Sequence, residues 1–597
     1  MAHRSLHDLL ARQVAAAPDR VAALCKRDGE FRPSTWAELG ERVERLARAL
    51  VRLGVAPGDR VCLIAETSLE WVFVDLAVVR AGGVTVPIYT AEVPDGVAFV
   101  ATDSGAVLVF AQDVAQVRKL RRERAKLGNV RGVVQLHGTP ELGDGWVTTL
   151  AEVEQQGAAP GSELTGRDVA PDDVATIIYT AGTTGRPKGA VLTHANLLYE
   201  AEAIEHIRLV GDDDLQLLYL PLAHSLGKVL VVAWLGTGHT LAFAESPAAV
   251  MNNLLEVRPT FMAGVPRHYE RIYANVVSRA LEAGAITSRL FVEATALSAR
   301  RGEAETHHRS LSTLDSLRFS ALRRLVFDRV AAGLREALGG RMRLMISGGA
   351  PLSPKIAWFL RDAGLMVLEG YGLAESSAAT TVNRPDRWRI GSVGLPLPGT
   401  HLRIAADGEV LLKGRGVMRQ YWQNPEATRE VLDGDGWLHT GDIGFIDGGG
   451  FLHITDRKKD IIVTAGGKNV APQKLENLLQ SHPLISHAVV HGDRRKFVSA
   501  LLTLDTGGLR ALAAEQGLGN GSYAELTQKH EVRRVVEGIV EGFNEQLASF
   551  EAVRRFKILE HDFSIDSGEL APSMKVKRRV VYERYRDIFD GFYDERY

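Results

Sequence analysis

The chain has 597 residues, 45% hydrophobic and 24% charged, with 71 basic against 73 acidic side chains and a net charge of −2. That length exceeds what one hydrophobic core supports, so two or more domains are expected. The balanced charge removes any whole-chain electrostatic case for nucleic-acid binding. Cys25 and Cys62 are the only cysteines; they give neither a disulfide framework nor a zinc pattern, and fit a reducing cytosol.

The opening MAHRSLHDLLARQV lacks a signal-peptide apolar stretch, and no apolar run reaches the ~20 residues of a spanning helix. A soluble, cytoplasmic protein is the expectation. VCLIA (61–65) is a short apolar run suited to a buried strand, with Cys62 as an ordinary core residue. Thr67 and Glu70 then have capping-box spacing before an amphipathic helix through Val79. Gly82 and Gly83 end it, and VTVPIY (84–89) predicts the next strand. Repeated strand–helix–strand units favour an α/β fold with a parallel sheet covered by helices. The run VLVVAWLGTGHTLAFA (229–244) carries two glycines and a histidine, and predicts a buried strand–turn–strand.

Residues 278–335 are helical in period and rich in arginine, including Arg300, Arg301, Arg309, Arg318, Arg323 and Arg324. Glu303, Glu305, Asp315 and Asp328 are interleaved, so a solvated helical insertion is the preferred reading. A weak peripheral face for anionic lipid, or for coenzyme A phosphates, is the alternative. From Asp456 the text turns charged, then glycine-rich, then helical. A helix over 472–480 and strands in ISHAVVHG and FVSALLTL follow. This places a domain boundary at Lys458–Asp460. The expected architecture is a large domain of layered sheets and helices over 1–458 and a small α+β domain over 459–597.

The richest motif is YTAGTTGRPKGA (179–190), after the strand-like DVATII. Its three glycines, Gly182, Gly185 and Gly189, let backbone N–H groups approach an anion. Thr180, Thr183 and Thr184 add hydroxyl donors, and Lys188 supplies a point charge. The pattern suggests a triphosphate cradle, though not a Walker loop, because Pro187 stands where a second glycine would be needed.

This loop resembles the signature of the adenylate-forming superfamily of acyl-CoA synthetases, luciferases and peptide-synthetase adenylation domains. Further segments match in the family's order: ISGGAPL (346–352), EGYGLAESS (369–377), DGWLHTGDIG (435–444), DRKKDIIVTAGGKNVAPQKLE (456–476) and ELAPSMKVKRR (569–579). The resemblance covers nearly the whole chain. It implies ATP, Mg²⁺ and coenzyme A as co-substrates and cofactor, and a mobile C-terminal domain in a monomer or homodimer.

Site residues follow from the same resemblance. Gly348, Gly349, Ala350 and Pro351 would form the adenine pocket, with Glu369, Gly370, Tyr371 and Gly372 beside it and the Tyr371 ring against the base. Glu375 would be a hard oxygen ligand for Mg²⁺, and Thr183 a catalytic hydroxyl near the phosphates. Asp442 would accept from both ribose hydroxyls, and Arg457 would reach the ribose or α-phosphate. Lys575 would sit between the attacking carboxylate and the α-phosphate, neutralising two anions. Lys459 occupies the hinge position; Gly466 and Gly467 would leave room for the pantetheine arm. His224 resembles the motile aromatic at the acyl entrance.

There are departures. Ala374 stands where a threonine is common, and Lys228 where some long-chain enzymes place an aromatic gate. LPLAHS, PTFMAGVPRHYERIY (259–273) and the insertion after it resemble the long-chain fatty acyl branch. A ligase delivering to a carrier-protein thiol, and a non-catalytic acyl-binding protein on the same fold, are the rival readings.

Overall fold

The computed structural model describes residues 4–141, 145–158, 164, 169–180, 186–306 and 309–593. Two large sheets form the N-terminal part. In the eight-stranded one, five parallel neighbours run outward from Val84–Ile88 through Arg60–Ile64 to Val147–Thr149. On its other side lies the antiparallel hairpin Val174–Thr180/Lys188–Thr193, closed at the edge by the two-residue strand Gln420–Tyr421.

The nine-stranded sheet holds Phe261–Gly264, Leu344–Ser347 and Val367–Tyr371 as parallel neighbours. Helices Trp36–Arg52, Leu69–Arg80, His194–His206 and Ser225–Thr237 supply residues to the core shared by both sheets. Trp36 stacks on Trp234 there, centroids 4.7 Å apart. Strands Thr400–Ile404, Glu409–Gly414, Leu438–Ile446 and Leu452–Arg457 make a four-stranded antiparallel sheet.

The strand Arg60–Ile64 and the helix Leu69–Arg80 stand where the sequence reading puts them, but the helix is buried on nearly all sides rather than amphipathic, and its cap is shifted. Ser68 accepts the Trp71 N–H, while the Thr67 hydroxyl donates to the Leu220 carbonyl at 2.7 Å. The larger correction falls on 229–244. Its first part belongs to the helix Ser225–Thr237, ended by Gly238 at φ 75° before strand Thr240–Phe243. This helix is buried on nearly all sides, so it lacks the polar face that gives a 3.6-residue period, and a short apolar run reads alike for strand and helix.

Residues 278–335 are helical, as expected: Pro266–Glu282, Ala285–Thr306, Thr313–Leu322, a π turn at Arg323–Phe327, and Asp328–Ala337. The arginines do not share one role. Arg301 pairs with buried Asp362 at 3.1 Å and lies over Phe319. Thr313–Leu322 and the π turn expose Arg318, Arg323 and Arg324 together with Leu314, Leu317 and Leu325.

The smaller C-terminal domain has its own cores. A ribbon, Ile462–Val463/Asn469–Val470, precedes helix Pro472–Gln480 and a three-stranded sheet of Ile485–His491, Val498–Leu504 and Val553–Ile558. Buried Glu476 ties helix to sheet, accepting from the Val490 N–H and twice from Arg578.

Candidate active site

Register on the antiparallel hairpin sets Thr180 opposite Lys188, so the predicted cradle hangs from the two strand ends. Gly182, Thr183, Thr184 and Gly185 lie outside the described residues. The Lys188 ammonium sits 5.2 Å from the Tyr421 ring centroid and 3.8 Å from Glu430. Tyr421 pairs with Ala190 on the edge strand, and its hydroxyl donates to Glu375 Oε1 at 2.8 Å. Burial, then the Glu375 charge, raises the Tyr421 phenol far above its ordinary range, so it stays a donor. One side chain thus joins Lys188 to the Glu375 carboxylate.

Glu375 stands on a 3-10 turn whose next residues, Ser377 and Ala378, have φ of 63° and 97°. That left-handed pair folds the chain back so tightly that a Cβ on Gly372 would fall 1.6 Å from the Ala378 carbonyl oxygen, and only glycine fits. The Ser377 hydroxyl on the Gly416 carbonyl and the Met418 N–H on the Glu375 carbonyl hold the turn.

Strand Val367–Tyr371 carries the next groups. The Tyr371 hydroxyl donates to Asp442 Oδ2 at 2.7 Å, and Arg457 Nε lies 3.1 Å from Asp442 Oδ1. Asp442 and Arg457 are register partners on adjacent antiparallel strands, which fixes that contact. Asp442 is 4% exposed; Oδ2 accepts the Tyr371 bond, Oδ1 faces the Arg457 ion pair, and both oxygens keep lone pairs for further donors. Glu369 stands on the same strand. Its buried carboxylate accepts the Leu352 N–H at 3.1 Å and so braces the GGAPL loop from behind. Burial raises its pKa to about 7 against the Leu352 and Gly391 N–H groups. Within that loop the Gly348 N–H bonds the Gly264 carbonyl, Gly349 has φ 82°, and Gly349, Ala350 and Pro351 are exposed. Gly370 has Thr381 and Val382 of the adjacent strand against it.

Lys575 arrives from the C-terminal domain on a tight turn. Leu570 bridges Val576, the Ala571 N–H bonds the Lys575 carbonyl, and Met574 takes φ 64°. Its side chain keeps open surface inside the cleft yet is walled by protein. Desolvation first, then the Arg457 charge, lowers its ammonium pKa, opposed by Asp442 and Glu375. His224 faces the same lysine: burial, then the Lys575 charge, drops the imidazole to about 4. His224 Nδ1 also accepts the Leu226 N–H and caps helix Ser225–Thr237. A neutral imidazole, two carboxylates and two cations from both domains therefore share one space.

The remaining predicted residues lie at the domain junction. Lys458 Nζ is tied to Asp407 (2.6 Å) and Glu409 (2.9 Å), Lys459 is exposed in the following turn, and Asp460 lies 3.8 Å from Arg578. Gly466 and Gly467 form the exposed turn of the ribbon, where Gly467 has φ 70° and a Cβ would meet nothing within 4 Å. Lys228 is not free to gate anything: it forms a buried ion pair with Asp75 and lies 5.5 Å from the Trp71 ring centroid. Tyr421 escaped the sequence reading, since a two-residue strand far from every motif carries no local signal; only its pairing with Ala190 reveals it.

A profile of the AMP-binding enzyme family matches residues 10–422, and a profile of the AMP-binding enzyme C-terminal domain matches 459–597. The chain belongs to the AMP-binding enzyme family. This AMP-binding enzyme is 38% identical over 584 residues to long-chain-fatty-acid–CoA ligase FadD15 of Mycobacterium tuberculosis, covering 97% of this chain and 95% of that one. It is 32% identical over 629 residues to long-chain-fatty-acid–CoA ligase ACSBG2 of Xenopus laevis, covering 99% and 84%. In architecture the AMP-binding enzyme is similar to the adenylation domain of a carboxylate reductase from Mycobacterium chelonae, with a TM-score of 0.78 over 100% of this chain and 92% of that one; at 20% identity the likeness is one of fold.

Proposed function

We propose that this AMP-binding enzyme is an AMP-forming long-chain fatty acid–CoA ligase. It would convert a fatty acid, ATP and coenzyme A into acyl-CoA, AMP and pyrophosphate through an acyl-adenylate. The observation that carries the reading is the cluster Tyr371–Asp442–Arg457 beside Glu375–Tyr421, with Lys575 of the other domain within range of those charges. The names of the full-length relatives supply the acid and the thiol.

In the first half-reaction a fatty carboxylate oxygen attacks the α-phosphorus and pyrophosphate leaves. Lys575 bridges nucleophile and α-phosphate, offsetting the repulsion of two anions in a walled cleft. Asp442 takes the ribose hydroxyls, held by Tyr371 and Arg457, and Lys188 with the Thr180–Gly185 loop binds the outgoing phosphates. His224, neutral, lines the acyl side without adding a competing charge. In the second half-reaction the coenzyme A sulfur attacks the acyl carbonyl and AMP leaves with the electron pair of the C–O bond. Rotation at Lys459 would withdraw Lys575 and bring in Gly466 and Gly467, dividing the chain into 1–458 and 459–597. Lys458 is anchored to the large domain and Asp460 to Arg578 of the small one, which supports that division.

Among the described residues no three His, Cys, Asp or Glu side chains converge as a metal site. Mg²⁺ suits a single carboxylate plus substrate phosphates and water, and Glu375, with one oxygen bonded to Tyr421, fits that part. The ion would neutralise phosphate charge when bound.

The substrate partitions into bilayers, and we place the protein in the cytoplasm with peripheral membrane contact. The exposed Leu314, Leu317 and Leu325 beside Arg318 and Arg324 support that reading; among the described residues no helix is long and apolar enough to cross a membrane. The deciding experiment is pyrophosphate release across fatty acids of graded length, followed by acyl-CoA detection. Activity confined to short or aromatic acids would overturn the long-chain assignment, and adenylate without thioester would overturn the CoA assignment.

A further inference from the structure

Away from the reacting groups, a second polar contact joins the two domains. Arg267, at the start of helix Pro266–Glu282, places Nη1 3.2 Å from His487 Nε2 and Nη2 3.4 Å from Ser486 Oγ. Ser486 and His487 are 7% and 4% exposed and belong to the small domain's strand Ile485–His491. Consecutive side chains of a regular strand point to opposite faces. Here the pairing with Val498–Leu504 shifts register between Ile485 and His487, a bulge that re-aims side chains, and both residues reach the same carboxylate. Ser486 Oγ donates to Asp562 Oδ2 at 2.7 Å, and His487 Nδ1 lies 3.0 Å from Asp562 Oδ1, which also accepts from Thr503.

Those partners fix the proton. Burial would raise the Asp562 pKa, but hydrogen bonds from His487, Thr503 and Ser486 outweigh it and hold the carboxylate at about 2. An ionised Asp562 accepts from His487 Nδ1–H. A guanidinium can only donate, so Nε2 must be the unprotonated nitrogen that receives it. The small domain thus offers one ring lone pair and one hydroxyl oxygen, and the large domain answers with a cation.

We propose that Arg267 is a positioning residue for Lys575, resting on the two-step reading above. Its clasp on Ser486 and His487 holds the small domain where Lys575 meets the adenylation site, and its release opens the way to the thioester step. The contact is built to be reversible. Its lengths sit at the long end of the hydrogen-bond range, and Asp562 keeps its own donors when Arg267 leaves.

The test uses the full chain with Arg267→Gln, Arg267→Lys and, from the other side, Ser486→Ala/His487→Leu. Each half-reaction is measured separately: ATP–pyrophosphate exchange with fatty acid, and acyl-CoA formation from supplied acyl-adenylate. Energy transfer between dyes on the two domains reports their orientation without substrate. Cys62 is buried and burial raises the Cys25 thiol to about 12, so engineered cysteines label selectively. Arg267→Gln and the double variant should each lower the exchange rate about tenfold at unchanged KM for ATP. Thioester formation should hold or rise, and energy transfer should move toward the rotated form, with Arg267→Lys between. Equal losses in both half-reactions, or unchanged energy transfer, would overturn the clasp. If wild type made no acyl-CoA, the reaction assigned above would fail while the energy-transfer comparison still judged Arg267.

Discussion

Replacing Lys575 by alanine removes one unit charge from a cleft where it faces Glu375, Asp442, Arg457 and His224. A charge pair about 4 Å apart is worth about 4 kcal/mol at an effective dielectric near 20. Lys575 keeps solvent-exposed surface, and Arg457 and Lys188 remain as cations, so about 3 kcal/mol, a factor of roughly 10² to 10³, is the expected loss in the adenylation rate. Thioester formation from supplied acyl-adenylate should be nearly unchanged, because Lys575 would be withdrawn in that step. The pH profile adds a second check. Burial and Arg457 lower the ammonium pKa from 10.5, so adenylation measured as kcat/KM should fall as pH rises through that lowered value. Bound triphosphate stabilises the charged form and should push the fall in kcat to higher pH. Stopped-flow pyrophosphate release, with each half-reaction isolated, measures all of this. An equal loss in both halves, or an alkaline limb that survives in the alanine variant, would refute the assignment.

Tyr421→Phe deletes the hydroxyl on Glu375, and KM for Mg·ATP should rise roughly five- to tenfold with the melting temperature little changed; an unaltered KM would show the bond to be idle. Lys459→Pro fixes the backbone at the junction, so acyl-CoA formation should slow more than adenylation, and normal turnover would remove the hinge. Glu369, raised from 4.5 to about 7, binds its proton more tightly folded than unfolded, so stability falls as pH rises from 4.5 through 7, by about 3 kcal/mol in all. Glu369→Gln should lose that slope in calorimetry, and parallel wild-type and variant curves would contradict the sign. Leu314→Asp/Leu317→Asp should abolish low-salt co-sedimentation with anionic vesicles; no wild-type binding at low salt would end the membrane reading, and binding that ignored the substitution would put the contact on another face.

The fold was legible wherever a period or a punctuating residue marked it. Helix Pro472–Gln480 and the strands after it have a polar face or a turn signal at each end, and they stand as expected. Helix Ser225–Thr237 did not declare itself because burial on nearly every side erases the period. Site residues show the same split. Asp442 and Arg457 were named from their motifs, but that they are cross-strand partners is a fact of register, which local sequence does not carry. Glu369 sits in one of those motifs, but its bond from the Leu352 N–H, 17 residues away, is a tertiary contact that local sequence does not carry. Arg267 lay in a segment noted only for its likeness to the long-chain branch, and Ser486 and His487 in one read only as a strand, because a contact between domains leaves no mark in either.

The junction at Lys459 has little slack. Lys458 is moored by its side chain to Asp407 and Glu409, while Asp460 turns its carboxylate toward Arg578 and its N–H to the Arg457 carbonyl. In the proposed rotation, a swing of the small domain would be spent in the torsions of this short turn, as on a door pin rather than a tether. The path of Lys575 would then be an arc of nearly fixed radius, returning to the same spot on each cycle. Lengthening this junction by even one residue would leave both domains intact while spoiling the aim.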